Sequence, residues 1–292
     1  MKNLLITGVN GFLGSNLAKG LINGYNLVGL ESSIENLYRI KGMPIEIYSS
    51  STSLEDIFYK HRIDAIVHTA TIFQSDQVGI RQLIQTNLVL PISLMELAQR
   101  YNVKSFINTD SFFSNYHNQY DYLSEYTMSK RHVWEWLKSL QKSICLVNMK
   151  LFHMYGPDDN PGKFVPGIVS KLMNHEPLIK LTEGSQLRDF IFIDDVVQAF
   201  ATVLAKEEDS EVYEFEVGTG IGTSIKEFVS RTKSISCSAS LLEFGALSYR
   251  KNEIMSAIAN PNPLYEIGWK PKVDLNEGIS KIIDSLTFKE QA

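Results

Sequence analysis

The chain opens on a short apolar run, Lys2 to Ile6, that gives way to Thr7-Gly8-Val9-Asn10-Gly11-Phe12-Leu13-Gly14 and then to the helical spacing of Leu17, Ala18, Leu21 and Ile22. A run of this kind reads as a strand buried on both faces, and closely set glycines close a tight turn, so the sequence predicts strand, turn and helix in immediate succession. Gly8 allows the turn, Gly11 lets the backbone approach a ligand, and Gly14 lets helix and strand pack closely. The positive N-terminus of the helix then faces the turn, which is how a dinucleotide pyrophosphate is held. The spacing is G-x-x-G-x-x-G rather than G-x-G-x-x-G, so a plain glycine-rich turn is the competing reading.

Strand-like runs recur at Leu4–Ile6, Leu27–Leu30, Ala65–His68, Phe106–Asn108 and Ile144–Met149, with helical patterns near 12–23, 79–101 and 122–141. Such alternation predicts an α/β fold: a Rossmann-like, doubly wound parallel sheet whose switch point lies beside the first strand. After Leu151 the texture turns to Tyr155-Gly156-Pro157, Asn160-Pro161-Gly162 and Glu183-Gly184-Ser185, the mark of a smaller α/β lobe that binds substrate. The expected division is a dinucleotide-binding domain over 1–150 with a returning segment at about 186–217, and a lobe made of 151–185 and 218–292.

With 292 residues, 44% of them apolar, the chain is long enough for a full globular core. A net charge of −5 without a basic tract argues against nucleic acid or an anionic membrane as partner. Cys145 and Cys237 stand far apart and suit reduced thiols rather than a disulfide framework or a metal site. With no signal-peptide pattern and no run of eighteen apolar residues, the expectation is a cytoplasmic protein with a small-molecule partner.

Two further features carry chemistry. Glu31 stands at the end of the second strand, where a carboxylate accepts hydrogen bonds from ribose hydroxyls and repels a 2′-phosphate. That favours NAD, although Ser32, Ser33 and Arg39 follow closely and would suit the phosphate of NADP. Tyr126-Thr127-Met128-Ser129-Lys130 sets a phenol and an ammonium four residues apart on one helix face. A cation one turn away favours phenolate and brings the tyrosine toward the working pH range.

Taken together, TGVNGFLG, YTMSK, Asp64-Ala-Ile-Val-His-Thr-Ala70, Asn87, Lys150-Leu-Phe-His-Met-Tyr-Gly-Pro157, Gly184-Ser-Gln-Leu-Arg-Asp-Phe-Ile-Phe-Ile-Asp-Asp195 and Ile267-Gly-Trp-Lys-Pro271 resemble an extended short-chain dehydrogenase/reductase acting on nucleotide-linked sugars. Within that family the chain resembles the CDP-abequose and CDP-paratose synthases through Asn108-Thr-Asp-Ser-Phe-Phe113, Arg188–Asp195 and Glu243–Met255.

The resemblance implies an NAD(P)H-dependent reductase of a CDP-linked 4-keto-6-deoxy or 4-keto-3,6-dideoxy hexose, working as a homodimer in surface-polysaccharide synthesis. Its reductase side leans to NADPH where Glu31 leans to NAD. It implies Ser111, Tyr126 and Lys130 as the catalytic set, with Thr109 as the alternative hydroxyl. Thr7, Gly8, Asn10, Gly11, Phe12, Leu13, Gly14, Glu31, Thr69, Ala70 and Asn87 would hold the cofactor together with Tyr126 and Lys130. Thr109, His153, Arg188 and Arg250 would meet the substrate, the arginines at its diphosphate, and no metal takes part. His153 stands where the family has asparagine and reads equally as a structural histidine. After Ser111, Phe112 and Phe113 occupy the places of a 4,6-dehydratase's acidic pair; after Thr109 the pair would be Asp110 and Ser111, with the glutamate replaced, so dehydration is disfavoured in either register. The rival readings are an NAD-dependent 4-epimerase and a non-catalytic NAD(P)-binding regulator.

Overall fold

In the computed structural model, which describes residues 1–73, 78–116, 122–206 and 209–290, the opening run is β1 (Lys2–Thr7), its Leu4, Leu5 and Ile6 fully buried. β2 (Tyr25–Glu31), β3 (Glu46–Ser49), β4 (Ala65–His68), β5 (Ser105–Ser111), β6 (Cys145–Leu151) and β7 (Val212–Val217) complete a seven-stranded sheet in the order β7-β6-β5-β4-β1-β2-β3. β1 to β6 pair in parallel. The chain leaves β1 toward β2 on one side and returns to β4 on the other, so the switch point lies beside β1, as the alternation predicts.

α1 (Phe12–Leu21) starts at the glycine turn, and α2 (Leu54–Lys60) leads into β4. The long pattern near 79–101 is α3 (Ile80–Ile84), a π-helical turn (Gln85–Val89) and α4 (Leu90–Arg100), and α5 (Ser124–Leu140) carries the tyrosine and lysine. One face of the sheet is sealed by a core that joins Leu5, Ile66, Phe106 and Leu146 to Leu94, Ala98, Val133 and Leu137. Burial at about 25 cal/mol per Å² of apolar surface makes that layer the rigid floor under the strand ends. β3 escapes an apolar-run reading because it is a four-residue edge strand with no fully buried side chain.

Contacts divide the chain into two units, Met1–Leu151 with Val197–Phe215 and Phe152–Val196 with Glu216–Ala292. Residues 186–196 thus group with the second unit, and the returning segment is Val197–Phe215. The second unit is built from short strands. His153–Tyr155 pairs with Phe190–Phe192, Leu187–Arg188 lies between Thr223–Ser224 and Ser256–Ala257, and Leu178–Lys180 pairs with Leu241–Glu243. An aromatic core holds them: Phe190 stacks on Phe228 with centroids 4.3 Å apart, and Tyr155 meets both rings edge-on. Trp269 is buried there and donates its indole N–H to the Asp195 carbonyl at 3.0 Å. Cys145 is buried and Cys237 exposed, both as free thiols. No helix among the described residues is long and apolar enough to cross a membrane, and no group of three or more metal-ligating side chains occurs among them.

Candidate active site

The glycine turn is fixed from several sides. Gly8 has φ +66°, its N–H donates to the Leu30 carbonyl at 2.7 Å, and its own carbonyl accepts from Gly11 N–H at 2.9 Å. A Cβ at Gly14 would lie 2.2 Å from the Gly8 carbonyl oxygen, and one at Gly8 would lie 2.9 Å from the Ala70 backbone. Side chains at these positions would fill the cradle with atoms that have nowhere to go. Gly11 is the N-cap of α1 and brings no side chain to it, so the first turn of the helix follows the bare turn directly. A turn kept clear of side chains and followed at once by a helix N-terminus is what a dinucleotide pyrophosphate requires, and the residues present fit that group.

Glu31 closes the cradle at the end of β2. Its carboxylate accepts the Asn10 N–H at 2.8 Å on one oxygen and the Ser32 N–H at 3.0 Å on the other. Arg39 donates through Nη1 to the Asn10 carbonyl at 3.3 Å, while the Asn10 amide reaches Asn36 O at 2.9 Å. On the β4 side, Thr7 Oγ1 lies 2.8 Å from His68 Nδ1 and accepts the Ala70 N–H at 3.1 Å, and Thr69 Oγ1 donates to Thr7 O at 2.6 Å. Asn87 is buried in the π turn. It accepts the Ile72 N–H at 2.8 Å, donates to Ile72 O at 2.9 Å and donates to Ser129 Oγ at 3.0 Å. Phe12 and Leu13 are buried in the first turn of α1.

At the end of β5, Ser111 and Thr109 part company. Thr109 Oγ1 donates to the His68 carbonyl at 2.7 Å, whereas the Ser111 hydroxyl accepts the Phe113 N–H at 3.4 Å and acts on the Tyr126 phenol, favouring its ionised form. Tyr126 is buried, with Phe73 stacked on its ring at 4.5 Å between centroids and 19° between planes. Lys130 is also buried, 6.0 Å from the centre of the Tyr126 ring, and its ammonium donates to the Thr109 carbonyl at 2.8 Å.

The electrostatics depart from the expectation that Lys130 lowers the tyrosine. Burial, reinforced by the nearby Asp110 carboxylate, pushes the Tyr126 phenol well above its ordinary value, and the Ser111 hydrogen bond only partly opposes this. Burial lowers Lys130 to about 8, with Asp110 acting in the other direction. Loss of solvation costs a charged group more than a neighbouring charge several ångströms away returns, so the phenol keeps its proton. His68 is lowered to about 3 by burial and the Lys130 charge, and is neutral at physiological pH.

In the sequence Asp110 figures only as the residue that follows Thr109, the alternative hydroxyl. Its carboxylate is buried and accepts the Ser111 N–H at 2.7 Å and the Asn148 amide at 3.0 Å. An acid immediately before a candidate catalytic serine is a usable signal, but only the strand pairing of β5 with β6 puts Asn148 against it.

In the second unit, Arg188 is buried. It donates to the Leu187 and Ile254 carbonyls at 2.9 and 2.6 Å and pairs with Glu253 at 2.5 Å. Arg250 is exposed, and its carbonyl accepts the Glu253 N–H at 3.2 Å, which ties its turn to the partner of Arg188. His153 packs its ring 5.9 Å from Phe190, and desolvation with the Arg188 charge lowers it to about 3.

Residues 4–218 match the NAD dependent epimerase/dehydratase family. The chain is 33% identical to the CDP-abequose synthase of Salmonella typhimurium, covering 97% of this chain and 98% of that protein, and 35% identical to the CDP-abequose synthase of Salmonella muenchen, covering 97% of each. At greater distance stands the dTDP-D-glucose 4,6-dehydratase of Mus musculus, 26% identical over 97% of this chain and 88% of that one. Among solved structures, the UDP-glucose 4-epimerase of Thermotoga maritima with UDP-glucose superposes with a TM-score of 0.84 at 23% identity, covering 99% of each chain. The UDP-glucuronic acid 4-epimerase of Bacillus cereus with UDP-glucuronic acid and NAD gives 0.85 at 21% identity, covering 98% of this chain and 99% of that one. A glycine cradle that fits a dinucleotide and a full-length likeness on this scale have one reading: the chain belongs to the NAD dependent epimerase/dehydratase family.

Proposed function

We propose that this protein is an NAD(P)H-dependent reductase that converts a CDP-linked 4-keto-6-deoxy or 4-keto-3,6-dideoxy hexose to the alcohol, in the synthesis of O-antigen-type surface polysaccharide. The observation that carries this reading is the gathering of Ser111, Tyr126 and Lys130 at the end of β5, with Phe112 and Phe113 next in the chain rather than acids. The full-length relation to CDP-abequose synthases supports the nucleotide and the sugar class.

When bound, the reduced nicotinamide supplies the hydride for the keto carbon. Gly8, Gly11 and Gly14 form the pyrophosphate cradle, and Thr7, Asn10, Phe12, Leu13, Thr69, Ala70 and Asn87 build its walls. Ser111 Oγ orients the keto oxygen, and Tyr126 Oη donates its proton to that oxygen. The raised Tyr126 pKa suits this role, because the acid is held protonated until an oxyanion develops beside it. Lys130 supplies positive charge next to the phenol and holds the ribose. Glu31, its two oxygens fixed by N–H donors, supports NADH over NADPH. Arg250 meets the diphosphate from the turn that Arg188 anchors through Glu253, and His153 stands near Arg188 to contact the substrate. Two copies pair through the helices at 85–101 and 122–141, where Val89, Met128 and Trp136 are 38%, 52% and 54% exposed. Sedimentation at micromolar concentration tests the dimer, and a monomer there would rule it out.

The deciding experiment incubates the protein with a panel of nucleotide-linked 4-keto sugars and NADH or NADPH and follows absorbance of the reduced cofactor. Oxidation with CDP-linked 4-keto deoxy sugars is the expected result. The anchored Glu31 also favours a second reading, an NAD-dependent 4-epimerase. NAD retained through purification, with no net oxidation of added NADH, would select it.

A further inference from the structure

Asp110 is one residue ahead of the Ser111 hydroxyl and is 4% exposed, the one acid on its strand. Its environment is complete. Oδ1 accepts the Ser111 N–H at 2.7 Å. Oδ2 accepts one Asn148 amide hydrogen at 3.0 Å and lies 3.0 Å from the Ser114 hydroxyl, which is also 2.8 Å from the Ser111 carbonyl oxygen. Asn148 is itself saturated: its second amide hydrogen goes to Glu214 at 2.9 Å, and its oxygen accepts from Asn108 at 2.7 Å. Because Asn148 donates to both carboxylates, the chain from Glu214 to Asp110 conducts no proton and serves only to hold. Burial raises the Asp110 carboxyl above its ordinary value, while the Asn148 amide, the Ser111 N–H and the Lys130 and Lys150 charges draw it back toward the ionised form.

The ionisable groups facing this carboxylate are few. From α5 come Lys130, whose ammonium is on the Thr109 carbonyl next door, and Tyr126. From β6 comes Lys150, paired at 3.2 Å with Glu214 of β7, and from β4 comes His68, already neutral. Lys150 is matched by Glu214, which leaves Asp110 as the counter-charge on the Lys130 side. We propose that Asp110 is a positioning residue of the reductive site: its buried carboxylate pins the Ser111 turn against Tyr126 and supplies the counter-charge that keeps Lys130 an ammonium. The inference rests on the reductase reading for its functional consequence, and for its electrostatic one on the placement of the buried Asp110 carboxylate next in the chain to the Thr109 carbonyl that holds Lys130. The direction of the shifts agrees, since Asp110 raises both Lys130 and Tyr126.

The test reads the charge directly. Protein labelled with ¹³C-lysine is titrated by NMR as wild type and as Asp110→Asn, with Lys130→Met to assign the signal. Lys130 is expected to lose its proton near pH 8 in the wild type and about one pH unit or more lower in Asp110→Asn, the usual effect of removing a close opposite charge. In the kinetic assay the alkaline limb of kcat/KM moves toward acid by the same interval, whereas a residue with only a structural role would lower the rate at every pH and leave the limb in place. Asp110→Ser, small and hydrogen-bonding but neutral, repeats the test if the asparagine variant folds poorly, and Asp110→Glu should restore part of the shift. An unmoved Lys130 titration in both neutral variants overturns the proposal. A shifted titration with no reductase activity toward any 4-keto sugar upholds the electrostatic role and sinks the reductase reading instead.

Discussion

Lys130 and Arg188 are both buried cations, and the molecule treats them in opposite ways. Arg188 is paired directly with Glu253 and capped by two carbonyls, so its charge is permanent and neutralised where it stands. Lys130 has one carbonyl at 2.8 Å, and its pKa has been brought down to about 8. A guanidinium keeps its proton under any of these conditions, while an ammonium gives it up when desolvated. The difference separates a charge that holds structure from one whose state responds to its surroundings, and the second kind belongs where protons move.

The comparison breaks most visibly at the tyrosine beside Lys130. Tyr126→Phe is expected to leave folding and NADH binding nearly intact and to lower kcat by about 10²- to 10⁴-fold, the usual share of a general acid. Lys130→Met should reduce both turnover and NADH affinity. Steady-state kinetics with a fluorescence titration of NADH check the pair, and wild-type turnover in the phenylalanine variant would remove Tyr126 as proton donor.

Arg188→Ala should fail differently. Stranding the Glu253 carboxylate should cost about 3–5 kcal/mol in urea unfolding, whereas replacing both partners by apolar residues of similar volume should recover much of that. A variant of unchanged stability would show that the ion pair holds little. Arg250, exposed on the turn that ends at Glu253, is the cleaner probe of the diphosphate. Arg250→Ala is expected to raise KM about ten- to a hundredfold, about 1.5–3 kcal/mol, with kcat nearly unchanged, and Arg250→Lys should recover only part of it. A collapse of kcat at constant KM would place Arg250 at the reacting carbon.

The last effect is a slope. His68 and His153 have folded pKa values of about 3 against an ordinary 6.5, so below pH 6.5 the unfolded chain takes up protons that the native state refuses. Stability should therefore be fully present above about pH 6.5 and decline as pH falls toward 3. His153→Asn should flatten that slope in urea midpoints measured from pH 7 to pH 4. An unchanged slope would mean that His153 is protonated in the native protein.

What could be read from the chain follows the range of the interactions. The glycine turn, the strand and helix succession and the Tyr126/Lys130 spacing are local, and each leaves a period or a motif in the sequence. The pairing of Arg188 with Glu253 spans 65 positions, and Asp110 meets Asn148 across 38, so neither has a local signature. The resemblance implies Ser111 with Thr109 as its alternative, and strand alternation puts both on one face, so position alone does not decide between them. Only the contacts show that the Thr109 hydroxyl is turned back to His68, which leaves Ser111 to act on Tyr126. The tyrosine's acidity was misread for a related reason: spacing reports which charge is near, but not how much water is missing.

Asn87 has a consequence for how the first unit moves. Both ends of its amide are bonded to Ile72, beyond β4, and its Nδ2 also donates to Ser129, between Tyr126 and Lys130. The π turn, with its extra residue, lets this side chain point inward. The strand continuation beside the glycine cradle and the helix with the phenol are thereby spliced into one mechanical part. In hydrogen exchange, the amides around 70–72 and 126–130 should open together as a single cooperative block, and Asn87→Ala should let them exchange independently.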